Sequence, residues 1–156
     1  MISFFKNKEK NEMHDNYSYS KIAALLIHAA KIDGAYKEKE RNIIKKTLIE
    51  LGADSSSIDK LISEAAIIEE NSNQILNFTR EVKNAPDSDK IKIIDSLWRI
   101  IYSDENADMY ETNLMRRLSG LLYINAKTMG DLKEKIKRKT RILLIIICLI
   151  LILRLC

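Results

Sequence analysis

The chain has 156 residues, of which 46% are hydrophobic, about the length of one domain and enough apolar surface for a sizeable core. A single Pro and four Gly, beside an abundance of Ile, Leu, Lys and Glu, exclude a turn-rich all-β fold and favour helices. The net charge of +4 does not signal a nucleic-acid partner: residues 20–130 carry 16 basic and 17 acidic groups, residues 131–156 carry 7 and 2, and the globular part offers no basic face for phosphates.

Residues 1–17 are polar and aperiodic after Phe4-Phe5 and read as a mobile N-terminal arm. Ser18 or Ser20 caps a first helix with Ile22, Leu25, Leu26 and Ala29 at i, i+3, i+4 and i+7, and Asp33-Gly34 stops it. A second helix runs from about Lys37 to Leu51, with Ile44, Thr47, Leu48 and Leu51 on one face, and ends at Gly52. Asp54 to Ser57 offer caps for a third, whose stripe is Ile58, Leu61, Ile62, Ala65 and Ile68. Asn71-Ser72 opens a short fourth with Ile75, Phe78 and Val82 inward.

Ala85-Pro86-Asp87 is the clearest break, because Pro disfavours helix in the residue before it and suits a first helical turn. The fifth helix carries Ile94, Leu97, Trp98 and Ile101 and leads to Asp104. The sixth, from about Met109 to Leu122, carries Leu114, Leu118, Leu121 and Leu122. A seventh begins near Ala126 and uses Met129, Leu132 and Ile136. Short connections between seven helices imply an all-α bundle. Trp98, Tyr102, Tyr110 and Phe78 are spaced as core aromatics, with an exposed recognition surface as the alternative and core preferred for Trp98, and His28 reads as a partly buried structural histidine.

Lys133, Lys135, Lys137, Arg138, Lys139 and Arg141 then run into twelve unbroken apolar residues, Ile142 to Leu153. As a helix that run spans about 18 Å, short of a hydrocarbon core about 30 Å thick, so a full span needs thinning or snorkelling by Arg141 and Arg154, and partial insertion or surface anchoring are the other arrangements. Residues 141–156 are expected to form an apolar C-terminal membrane anchor. Its basic flank, within residues 133–156, is drawn to anionic lipid and kept cytoplasmic by the positive-inside preference. The bland alternatives are a last helix folded onto the bundle and a dispensable extension. Cys148 and Cys156 both lie in this tail and cannot staple the domain, and Met1 to Phe5 are too short for a secretory signal, so a cytoplasmic location is expected.

The segment Leu26 to Lys46 has a second copy 71 residues later, Leu97 to Arg117. Asp33 falls on Asp104, Glu40 on Glu111, Asn42 on Asn113, and Ile43-Ile44-Lys45-Lys46 on Leu114-Met115-Arg116-Arg117. Each copy reads helix, acidic turn, helix, and duplication brings the carboxylates to equivalent positions in two halves.

These residues, Ala29 to Glu40 with Ser96 to Asp104 and Tyr110 to Leu114, resemble the TerB family of helical domains, the tellurite-resistance family related to the N-terminal domain of the DjlA co-chaperone. The resemblance covers roughly residues 20–135. It implies an all-helical bundle of two pseudo-symmetric halves over residues 18–140, an acidic cluster suspected of binding metal, a stress-response setting and no established catalysis. By motif position it implicates Asp33 and Glu40 in the first turn and Asp104 and Glu111 in the second. The second copy has Glu105 where the family usually has Gly, and the first has Lys37 where a small capping residue is common. Tellurite resistance itself does not follow from the fold, and the partner protein is not named by the sequence.

Two roles for the acidic turns stay open. In one, Asp33, Glu40, Asp104 and Glu111, or a one-sided set of Asp104, Asp108 and Glu111, hold a divalent cation; oxygen ligands select calcium, magnesium or manganese, and zinc is disfavoured with only His28 and no Cys in the domain. In the other, the carboxylates are structural, Asp108-x-x-Glu111 being a capping box and the remaining acids favoured by helix dipoles. The expected function is accordingly non-enzymatic, with a metal-free interaction module as the alternative. A metal-dependent hydrolase is the weakest option, since no nucleophile–base pair, Gly-rich phosphate loop or HExxH is present.

Overall fold

The computed structural model describes residues 19–32, 34, 36–104 and 109–155; the side chain of Asp104 lies outside that description, as do the proposed arm at 1–17, Asp33 and Asp108. Among the described residues the chain is all-helical. Helix α1 covers residues 19–30 and is followed by α2 (Glu38–Glu50), α3 (Ile58–Glu70), α4 (Leu76–Lys83) and α5 (Asp87–Ile101). A 3₁₀ turn (Tyr102–Asp104), α6 (Met109–Leu121) and α7 (Ala126–Leu155) complete it.

The helix pairs that carry the repeat, α1–α2 and α5–α6, each enclose an acidic turn. Their first members form the centre of the core. In α1 the expected one-sided stripe understates the burial: Ala23, Ala24, Ile27 and Ala30 are buried as well as Ile22, Leu25, Leu26 and Ala29. A helix that is apolar on every side can satisfy itself only by being surrounded. In α5 the same holds from Ile93 to Trp98 and again at Ile100 and Ile101.

Around this centre α5 packs against α2 and α7, α2 against α3, and α4 against α6. One buried polar link joins α2 to α5, Thr47 Oγ1 donating to Ser96 Oγ at 2.7 Å. Gly34 (φ 88) and Gly52 (φ 109) lie in the left-handed region just past α1 and α2, which is why glycine ends both helices. At Gly52 a Cβ would also come within 3.1 Å of the Tyr19 hydroxyl, which donates to Leu51 O.

Two local expectations differ from the structure, and a third feature extends them. Asn71 does not open α4; its amide donates back to Ile67 O and closes α3, so α4 starts only at Leu76. Tyr110 is not a core aromatic: it is 74% exposed, whereas Phe78, Trp98 and Tyr102 are buried. Helix α7 runs on through the basic run and the apolar run as one helix. With no Gly or Pro after Gly130, and a start capped by Asn125 Oδ1 on the Thr128 N–H (2.7 Å), it continues for 30 residues.

Candidate functional site

The first acidic turn is built from the start of α2. Lys37 is the residue before the helix, and its backbone N–H donates to Glu40 Oε2 at 2.8 Å. Lysine has no side-chain acceptor for the helix N–H groups, so only the return half of a capping box forms here. The other oxygen of Glu40 accepts from Ser103 Oγ at 3.0 Å, and Lys39 Nζ donates to Ser103 O. Ser103 directly precedes Asp104, so the first-turn carboxylate is fastened to a side-chain hydroxyl of the second turn, and Lys39 to that residue's backbone carbonyl. Glu40 is 2% exposed, and a carboxylate that deeply placed requires such donors.

The second turn brings Glu111 into the interior at the start of α6. Burial is the main cause that raises the Tyr102 phenol above its usual pKa, and the negative charges of Glu134 on α7 and Glu111 raise it further. Glu111 is thus near enough to Tyr102 for its charge to act on the phenol. Tyr36, beside the first turn, is raised chiefly by burial, and its hydroxyl has no hydrogen-bond partner among the described residues. Of the proposed metal ligands, Glu40 and Glu111 are buried, while Asp33, Asp108 and the Asp104 side chain lie outside the described residues. Among the described residues no three His, Cys, Asp or Glu side chains gather as a metal set.

A polar cluster that sequence reasoning missed lies at the end of α1. Glu69 of α3 accepts from Lys31 Nζ at 2.6 Å, and His28 Nδ1 lies 3.0 Å from its other oxygen. Burial is the largest influence on Glu69 and pushes its carboxyl up, but the bonds from Lys31 and His28 together outweigh it and leave the pKa below the usual 4.5. No local signal marks this contact, because Glu69 is 41 residues from His28. The repeat-equivalent of His28, Arg99, pairs instead with Asp95 at 2.6 Å, so the two copies have diverged here. Beside the cluster, a groove of about 680 Å³ runs between the 72–75 loop and α6, with Phe78 and Leu114 in its lining and Tyr110, Asn113 and Arg117 along α6.

Helix α7 divides sharply along its length. Met129, Leu132 and Ile136 are buried on the bundle, whereas the large apolar residues from Ile142 to Leu155 other than Leu144 are 45–87% exposed. Leu144 is half-buried. Among the described residues no helix is long and apolar enough to cross a membrane. The family model described as tellurite resistance protein TerB matches residues 20–134, which takes in both acidic turns and stops short of the apolar run. No curated protein and no solved structure matches the chain.

Proposed function

Because the chain belongs to the TerB family of tellurite resistance proteins, we propose that it is a non-catalytic helical domain held at the cytoplasmic face of an anionic membrane by the distal half of α7, where it presents its surface to a protein partner. The observation that carries this is the exposure of an unbroken apolar helix directly after a basic run. Soluble surfaces rarely leave so large an apolar patch bare, and a polybasic segment beside it gains about 1 kcal/mol per Lys or Arg at an anionic leaflet. The positive-inside preference assigns the basic flank to the cytoplasmic side. The test is flotation with phosphatidylglycerol vesicles together with cell fractionation. The full chain is expected to float and to sediment with membranes, and a chain lacking residues 142–156 to do neither. A full chain that stays soluble in both assays removes the anchor.

A second reading, a calcium, magnesium or manganese ion between the acidic turns, is supported by one contact. The Ser103–Glu40 hydrogen bond joins the two turns whose carboxylates would have to share the ion. Against it, both oxygens of Glu40 already accept from protein donors. Calorimetric titration with the three ions discriminates: heat that disappears in Glu40→Gln and Glu111→Gln supports the ion, and no heat with an unchanged melting temperature leaves the carboxylates structural.

A further inference from the structure

We propose that α7 enters the bilayer end-on rather than lying in its surface, and that Lys137, Arg138, Lys139 and Arg141 form the collar that binds lipid phosphates and sets the depth. This rests on the membrane-anchored reading above and adds to it an orientation and a division of labour among the basic residues.

The division comes first. Lys133 and Lys135 belong to the bundle. The Lys133 ammonium stands 5.4 Å from the centroid of the Trp98 ring, a cation–π contact on a side chain that is 4% exposed. Lys135 Nζ lies 3.7 Å from Asp95 Oδ1, a buried oxygen with no hydrogen bond among the described residues, while Asp95 Oδ2 takes Arg99 at 2.6 Å. Both lysines therefore face α5, and moving either to a membrane would strip a buried or half-buried partner. Lys137, Arg138, Lys139 and Arg141 are exposed and make no ion pair with any described residue.

The orientation follows from angular position. At about 100° per residue, and taking Lys137 as zero, Arg141, Arg138 and Lys139 point to roughly 40°, 100° and 200°. Leu132, Ile136 and Met129, which pack on the bundle within the preceding eight residues, point to roughly 220°, 260° and 280°. The four cations thus spread over about 200° of the circumference, outside the arc that packs on the bundle. A helix lying in a membrane surface needs the opposite arrangement, with charges on one face and apolar residues on the other.

The apolar run supports the same geometry. All twelve positions from Ile142 to Leu153 are apolar, so no face of that stretch is suited to water. An in-plane helix would leave about half of them in the aqueous layer, while an end-on helix buries every one. The run reaches about 18 Å beyond the collar, past the midplane of a hydrocarbon core about 30 Å thick. Arg154 then extends towards the far headgroups, with local thinning of the bilayer making up the difference. The last bundle contact, Ile136, is about 8 Å along the axis from Arg141, so the domain sits against the headgroups.

The experiment is a cysteine scan of the full-length chain. Single cysteines are placed at positions 142 to 150 in a Cys148→Ser/Cys156→Ser background, with Cys148 itself kept for that position. Each is labelled with a nitroxide, and its depth is read in phosphatidylglycerol/phosphatidylcholine vesicles. Depth is expected to rise steadily by about 1.5 Å per residue. A depth that oscillates every 3.6 residues, or stays uniformly shallow on vesicles that do bind, overturns the end-on orientation and leaves the anchor standing. Labels that never sense lipid, with no vesicle binding, overturn both.

A second arm tests the collar. Replacing Lys137, Arg138, Lys139 and Arg141 by Gln should weaken binding to the anionic vesicles by about tenfold or more. Lys133→Gln/Lys135→Gln should stay within about twofold of the parent, because those lysines are bound to the bundle. Equal losses in the two sets overturn the division.

Discussion

From Ala126 to Ile136 helix α7 mixes polar and apolar positions and buries Met129, Leu132 and Ile136, which recur at i, i+3 and i+7; from Ile142 to Leu153 it is apolar at every position and, apart from half-buried Leu144, its large side chains are exposed. The backbone is one uninterrupted helix, so secondary structure does not distinguish the two halves. What distinguishes them is which solvent each surface suits. A stripe buries against a bundle and leaves its polar side to water, whereas a surface without a polar side has no stable place in water.

The largest effect that separates the halves is on folding stability. Ile136→Ala removes a side chain that is 3% exposed and should cost about 2–5 kcal/mol in urea denaturation, while Ile146→Ala should stay within about 0.5 kcal/mol. Equal losses at the two positions would mean that the distal half packs on protein. A smaller effect is expected at the junction of the acidic turns. Glu40→Ala leaves Ser103 Oγ and the Lys37 N–H without their acceptor and should cost about 1–3 kcal/mol, with vesicle binding unchanged. A neutral Glu40→Ala would show that the two turns are not fastened through this carboxylate.

The smallest effect is a pH dependence confined to the bundle. Glu69 has a folded pKa below its ordinary 4.5, so its contribution is complete above that value and is lost as pH falls through the folded pKa. Lys31 is shifted upward, first by its bond to Glu69, so its share is complete below 10.5 and is lost as pH rises through the folded value. Melting temperature against pH should therefore fall more in the parent than in Glu69→Gln at the acid end, and a parallel decline in the two proteins would remove the cluster from the account.

Much of the fold was legible because it depends on periodicity. Ile44, Thr47 and Leu48, Ile58 to Ala65, and Phe78 with Val82 all face inward as their spacing implies, and Gly34 and Gly52 end their helices. The repeat located Glu40 as a residue of the first turn, but its partner Ser103 lies 63 residues away and carries no pattern. Glu69 escaped for the same reason, since a contact between helices depends on the packed arrangement and not on neighbours in sequence. Tyr110 was misread because aromatic spacing reports a helical face without saying which face is covered. Continuity of α7 was legible from the absence of any breaker after Gly130, although composition changes abruptly at Arg141.

Amide hydrogen exchange along α7, with and without phosphatidylglycerol vesicles, tests the two-solvent helix most directly. The account predicts slow exchange from Met129 to Ile136 in both conditions, and slow exchange from Ile142 to Leu153 only when vesicles are present. Protection of the distal segment without lipid, or exchange there that vesicles do not slow, would contradict it.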